Sequence, residues 1–300
     1  MESQTPLEMI APCACVLTLP VLPKRMEKVR EHLTVDCSYP EKYLHFFSGK
    51  VRDGFATNSS TNNNVENNEI SIMDCLFIKQ NLMDDVSDNI FENHIAMIRD
   101  AYDRFPDAPW ILFLEDDARF DRTVFNKEIA NHVVSFMKSG NAEVLLLGVL
   151  PFQKGFGVPI ATYYQPSIIR QWTMTICAHA YLLTRRAMWE ILQFADSRKG
   201  VHHPRMHFDM IFHFLKMKVH SVYPMICFQN KDPAMYQRIQ TMVPLLQCIS
   251  FRSLSTFMNH LSLMMPVFLA ILFSVCLFFL SRRTYRLLRQ PRKNNDPVTR

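Results

Sequence analysis

The chain has 300 residues, 48% of them hydrophobic and 20% charged, with a formal net charge of +5. That hydrophobic share is globular, not disordered, and the length allows one large domain or two small ones. Only seven glycines are present. Neither G-x-G-x-x-G nor G-x-x-x-x-G-K-[ST] can be built from them, which argues against phosphate cradles made of glycine backbone. Nucleotide binding through a metal stays open.

The charge is unevenly placed. Residues 281–300 hold Arg282, Arg283, Arg286, Arg289, Arg292, Lys293 and Arg300 against Asp296 alone, so residues 1–280 are close to neutral. A nucleic-acid-binding fold carries its basic patch on the fold itself, so no nucleic-acid partner is expected.

In chain order, Ala14–Leu19 predicts a buried strand stopped by Pro20 and Pro23, and Lys24–Leu33 a helix. Lys42–Ser48 predicts a second strand. The polar, Asn-rich stretch 57–69 predicts a surface loop. Ser87–Phe105 predicts an amphipathic helix capped by Ser87, with Ile90, His94, Met97, Ile98, Ala101 and Phe105 on one face. Trp110–Leu114 is a strongly apolar strand that runs straight into Glu115-Asp116-Asp117. Thr123–Ser139 predicts a helix with Gly140 just past its end, and Glu143–Gly148 another buried strand. Ala178–Thr184 predicts a strand, with Thr184 capping a helix over Arg185–Ala195. Phe208–Lys218 reads as helical and Val219–Tyr223 as extended. Strands alternating with helices give an α/β expectation with a mainly parallel sheet, covered on both faces.

Leu261–Leu280 is a 20-residue stretch without a charge. As a helix it reaches ~30 Å, the thickness of a bilayer core, and Pro266 is tolerable near its start. The expected organisation is a domain over 10–230, a stem over 231–260, a transmembrane helix over 261–280 and a basic tail over 281–300. The tail favours a cytosolic C-terminus. The acidic start, MESQTPLE, lacks the basic region of a signal peptide, so the side of the membrane on which the domain lies stays open. Eight cysteines are scattered with no C-x-x-C pair, which argues against a zinc ribbon. One glycosylation sequon, Asn58-Ser59-Ser60, is present.

The segment Trp110–Phe120, WILFLEDDARF, carries the chemistry. A buried strand delivers three acids to its C-terminal end, where ligands bind in open α/β sheets. Adjacent carboxylates repel unless a cation sits among them. Glu115 and Asp117 lie two apart and point the same way if the chain stays extended. Together they are suited to one Mg²⁺ or Mn²⁺ that also takes diphosphate oxygens. The competing reading is a solvated acidic turn.

LEDDA after an apolar strand resembles the acidic motif of glycosyltransferase family 25, which includes procollagen and bacterial lipopolysaccharide galactosyltransferases. Further segments are similar in the same order. CVLTLPVLPKRMEKVREHL matches at Leu19 and Arg25, and ENHIAMIRDAYDRF keeps His94 but has Asn93 for the usual Ser. AHAYLLTRRAMWEIL matches at His179, Ala180, Tyr181 and Arg185 and lacks the usual glycine. FDMIFHFLKMKVHSVYPMICFQN matches at Asp209, Tyr223, Pro224 and Gln229. The resemblance covers about residues 14–230.

The resemblance implies a GT-A-type nucleotide-sugar-binding fold. It implies a UDP-sugar donor carrying galactose or glucose, a Mn²⁺ or Mg²⁺ ion, and a hydroxyl acceptor on protein or glycan. In that scheme Glu115 and Asp117 hold the metal. Asp116 and Arg25 contact the nucleotide or diphosphate. Asp209 is the base that deprotonates the acceptor in an inverting transfer. Asp209 as a helix N-terminal acid and Arg25 as a surface charge are the plainer alternatives. Of the clustered histidines, His203 and His207 stand four apart, with Pro204 between them. His94 and His179 read as core histidines. Tyr163, Tyr164 and Trp172 are candidates to stack on sugar or base, or to pack. The competing whole-protein readings are a catalytically degenerate membrane interaction protein on the same fold and a metal-dependent phosphohydrolase.

Overall fold

The computed structural model describes residues 4–50, 80–151, 160–173, 175–176, 179–197, 208–229 and 251–288. The Asn-rich stretch, the sequon, residues 230–250 of the expected stem, the end of the basic tail and His202, His203 and His207 lie outside these residues.

The chain opens with a short helix α1 (Pro6–Ile10), closed by a capping box between Thr5 and Glu8. It buries Leu7 and Ile10. Strand β1 (Ala14–Thr18) leads into α2 (Pro23–Glu31), where proline starts the first turn with its φ already helical. A wide helical turn follows over His32–Asp36, and β2 (Leu44–Ser48) comes after it. Helix α3 (Gln80–Arg104) begins earlier than the Ser87 cap predicts. Its predicted face holds for His94, Met97, Ile98 and Ala101, all buried, whereas Ile90 is exposed. Strand β3 (Trp110–Glu115) is buried through Leu114. It turns at Asp116–Asp117 into the short β4 (Ala118–Phe120).

Helix α4 (Lys127–Lys138) starts four residues later than expected from Thr123, because the Asn126 side chain accepts the Ile129 N–H. Gly140 follows it at φ +74°, the left-handed stop that glycine provides. Then come β5 (Val144–Leu146), β6 (Leu150–Pro151), β7 (Ala161–Gln165), β8 (Ile168–Gln171), β9 (Thr175–Ile176) and β10 (Ala180–Thr184). Helix α5 (Arg185–Ser197) is capped by Thr184 as predicted, its Oγ1 accepting the Ala187 N–H. Only Phe208–Met210 and α6 (Ile211–Phe214) are helical where a longer helix is expected. Strands β11 (Val219–Val222) and β12 (Cys227–Gln229) lead to the last helix, α7 (Phe251–Leu288).

Eight strands form the main sheet in the order β2-β1-β3-β10-β5-β11-β8-β7. β1 runs parallel to β2 and β3, and β5 to β11, but β10 is antiparallel to both β3 and β5, and β8 to both β11 and β7. The architecture is therefore mixed α/β, with most strands in one direction and β10 and β8 reversed. β7 and β8 pair antiparallel at the sheet edge, β6 and β9 form a separate two-stranded sheet, and β10 then returns between β3 and β5. One apolar layer packs α1, α2 and α4 on Leu112, Leu114 and Leu182. The other packs α3, α5 and α6 on Phe113, Tyr181 and Val219. Strand residues with adjacent numbers point to opposite layers, so the continuously apolar strands follow from a sheet buried on both faces.

Candidate functional site

Parallel pairing of β1 with β3 sets Leu17 opposite Glu115, which brings the C-terminal ends of both strands to one edge. The acids at the end of β3 and Arg25 in the first turn of α2 therefore meet. Arg25 Nη1 lies 3.0 Å from Asp116 Oδ1. Asp116 is buried at 7% exposure. Burial pushes its carboxyl above the usual aspartate range, and the Arg25 charge opposes that rise.

Glu115 turns into the protein. His94 Nε2 donates to Glu115 Oε1 at 3.1 Å, and Gln229 Nε2 donates to Oε2 at 3.1 Å. The other ring nitrogen of His94, Nδ1, is 2.8 Å from Tyr181 Oη. An ionised Glu115 only accepts, so Nε2 carries a proton, and Nδ1 and the tyrosine hydroxyl share the second hydrogen bond. Burial holds the Tyr181 phenol well above its usual range, which keeps the hydroxyl protonated. Burial also acts to raise Glu115, but the hydrogen bonds of His94 and Gln229 and the nearby His179 outweigh it and bring the carboxyl below its ordinary value. The result is a line of groups, Tyr181–His94–Glu115–Gln229, gathered from β10, α3, β3 and β12.

Phe208 stacks on the His94 ring at 4.1 Å between centroids. This places Asp209, the next residue, in the surroundings of that line, where its charge acts on the Tyr181 phenol. Asp117 sits half-buried in the turn after β3. Because the chain turns at Asp116–Asp117, the extended-chain alternation that would set Glu115 and Asp117 on one side does not apply. Among the described residues no three His, Cys, Asp or Glu side chains stand close enough together to hold a metal ion.

Of the expected site residues, Arg25 and Asp116 are in contact. Glu115 is engaged by His94 and Gln229, Asp117 is in the adjoining turn, and Asp209 is near Tyr181. Tyr163, Tyr164 and Trp172 are elsewhere: β7 and β8 lie at the far side of the sheet, with β10, β5 and β11 between β3 and β8. Sequence reasoning left His94, Tyr181 and Gln229 out of the site. The signals available were a polar ring on an otherwise apolar helix face, a tyrosine inside an apolar strand, and the place of all three among the positions that carry the resemblance.

A cavity of about 270 Å³, to which Glu115, Asp116 and Asp117 do not contribute, is lined by Asp36, Cys37, Phe120, Arg122 and Phe125 among others. Beside it His32 Nδ1 bonds Asp36 at 2.9 Å, while Cys37 Sγ is 3.6 Å from His32 Nε2. The Phe120 N–H already donates to that nitrogen at 2.9 Å. Burial pushes the Cys37 thiol up to about 11, so the cluster lacks the thiolate a nucleophile needs.

No family model matches the chain, and no curated protein matches it. Solved structures do. One is a glycosyltransferase involved in the glycosylation of the major capsid of PBCV-1 (12% identity, TM-score 0.37, covering 77% of this chain and 98% of that one). Another is A197 from STIV (9%, 0.35, 73% and 86%). A third is the UTP-bound UGPase from Acinetobacter baumannii (10%, 0.40, 82% and 97%). Likeness at this level does not bear on the chemistry, which rests on the geometry of the chain itself.

Proposed function

We propose that this chain is a membrane-anchored glycosyltransferase of the family 25 kind. It would move galactose or glucose from a UDP-sugar to a hydroxyl on protein or glycan with inversion. The observation that carries the reading is the convergence at one strand end: a buried strand delivers three carboxylates, and Arg25 from the neighbouring strand's helix is already bound to one of them.

A divalent cation of the Mg²⁺ or Mn²⁺ type needs only one or two carboxylates, the remaining ligands being phosphate oxygens and water. The donor set fits that demand. Asp117 in the turn would hold the ion, with the second lone pairs of the Glu115 oxygens as the additional source. When bound, the ion neutralises charge on the departing diphosphate. Arg25 would add a second positive charge at the same edge once a diphosphate competes with Asp116 for it. Asp209 would take the acceptor proton. The Tyr181–His94 pair would fix the direction of Glu115. Leu261–Leu280 would cross the bilayer.

The test uses the full chain in detergent with a panel of UDP-sugars and Mn²⁺. UDP-sugar binding that requires the metal, and release of UDP, are expected. Asp117→Asn should lower turnover by roughly a hundredfold or more, since a metal supplies several kcal/mol of charge stabilisation. Asp209→Asn should abolish transfer while binding persists. Absence of binding and turnover across the panel, with Asp117→Asn silent, would sink the reading.

One observation favours a second reading, a degenerate transferase fold serving as an interaction protein. Both oxygens of Glu115 and one of Asp116 are already engaged by protein donors. That reading expects no thermal stabilisation by UDP and Mn²⁺ together.

A further inference from the structure

Helix α7 is continuous over Phe251–Leu288, so the apolar stretch and the residues before it form one rod. The first part of that rod is docked on the domain, against β6 and β7. Asn259 and Ser262 are buried at 1% and 0% exposure. Asn259 Nδ2 donates to the Val149 carbonyl at 3.3 Å, and its Oδ1 lies 3.5 Å from Gln171 Nε2. Next to it the Tyr223 hydroxyl bonds the His260 ring. The Tyr223 ring meets those of His260 and Tyr163 at 5.3 and 6.1 Å.

Every residue from Val267 to Ser281 is exposed. That free length gives ~22 Å of helix at 1.5 Å per residue, against ~30 Å for a hydrocarbon core. Arg282 and Arg283 close the far end, where arginines settle at the interface. The missing ~8 Å can come only from Leu261–Pro266, the part the domain edge partly covers. A span of ordinary length therefore draws that edge into the headgroup layer, which is itself ~5–7 Å deep on each side. Tyr163 stands on the same edge at 65% exposure. Tyrosine has a ring suited to the apolar boundary and a hydroxyl suited to water.

From this geometry we infer that the β6–β7 edge of the domain seats in phospholipid headgroups, with Tyr163 at the interface. The domain is thus held on the bilayer instead of swinging on a tether. The inference rests on Leu261–Leu280 spanning the membrane, and the test separates the two.

The full chain is reconstituted into phosphatidylcholine vesicles with or without lipid brominated near the top of the acyl chain, to report on position 163, and near the middle of the acyl chain, to report on position 273. Single tryptophans are added by Tyr163→Trp, Phe273→Trp and Tyr43→Trp, and the native tryptophan signal is subtracted. Tyr43 precedes β2, at the opposite edge of the sheet from β7. Loss of fluorescence on bromination at positions 163 and 273 but not at 43 is the expected result. Loss at 273 without loss at 163 overturns the seating and leaves the span standing. No loss at 273 overturns both. Equal loss at 43 and 163 overturns an edge-specific contact in favour of general adsorption.

Discussion

Tyr181 and His94 illustrate how a few buried polar atoms set the direction of a carboxylate. Removing the hydroxyl in Tyr181→Phe keeps the ring stacked on Phe113 but takes the hydrogen-bond partner from His94 Nδ1. A loss of about 1 kcal/mol in denaturant unfolding is expected. His94→Leu also strips the Glu115 Oε1 donor, and its cost should be larger, about 1–3 kcal/mol for the carboxylate left behind. Equal costs would show that Glu115 gains nothing from the imidazole. His220 supplies a pH prediction. It is buried at 1% exposure among Phe136 and Tyr164, Nδ1 donates to the Lys218 carbonyl, and Nε2 has no hydrogen-bond partner among the described residues. Burial lowers its pKa from 6.5 to about 4. The folded state thus resists the proton that the unfolded state takes up. Stability is complete above pH 6.5 and falls as the pH drops from there to about 4, by about 3 kcal/mol at most. Burial lowers His32 and His213 in the same direction. Thermal midpoints of wild type and His220→Gln, followed from pH 7.5 to 4.5, should converge on the acid side. A constant gap between them would remove His220 from the account.

At the scale of elements, close approach decides more than propensity. A side chain at Gly148 would put Cβ 1.9 Å from the Cys227 carbonyl oxygen and 2.7 Å from His179 Nε2. The backbone after β5 thus passes directly against β12, the strand that supplies Gln229. Gly148→Ala should destabilise by about 1–3 kcal/mol or more through overpacking and should disturb the Gln229–Glu115 bond. An unchanged unfolding midpoint would show that β12 can move away without penalty. Asn93 acts in the same manner on another connection. It accepts the Lys50 N–H at 2.7 Å and donates to the Lys50 carbonyl at 2.9 Å, tying the chain after β2 to α3. Asn93 is therefore a brace between two elements.

For the whole molecule, the change from packed to exposed helix lies inside α7: Asn259 and Ser262 are buried, and every residue from Val267 to Ser281 is exposed. A chain ending at residue 255 lacks Asn259 and Ser262 and uncovers the Val149 carbonyl and Gln171. It should melt below the full chain in the same detergent. A matching melting temperature would mean that the helix contributes nothing to the domain. Helix α7 and the domain are thereby coupled parts, and a shortened chain is better cut beyond Pro266.

The helices α2, α3, α4 and α5, the strands β1, β2, β3, β5, β10 and β11, the acids at the end of β3 and the uncharged stretch Leu261–Leu280 were legible in the sequence, while β6 to β9 were not. The legible parts depend on local periodicity and on adjacent residues. Several short features were not: α1, β4, β12 and the antiparallel return of β10 need partners distant in the chain before they are stable. The site divides in the same way. WILFLEDDARF identified the carboxylates. Only tertiary packing decided which way each one faces, because the partners of Glu115 come from residues 94 and 229 and that of Asp116 from residue 25. Leu261–Leu280 was readable as one long apolar helix, but the helix begins already at Phe251, inside the expected stem, and its seating was not readable, since Asn259 and Ser262 are buried only by strands far earlier in the chain. Hydrophobic pattern determines what a segment can become, while burial of polar groups against distant partners determines what it touches.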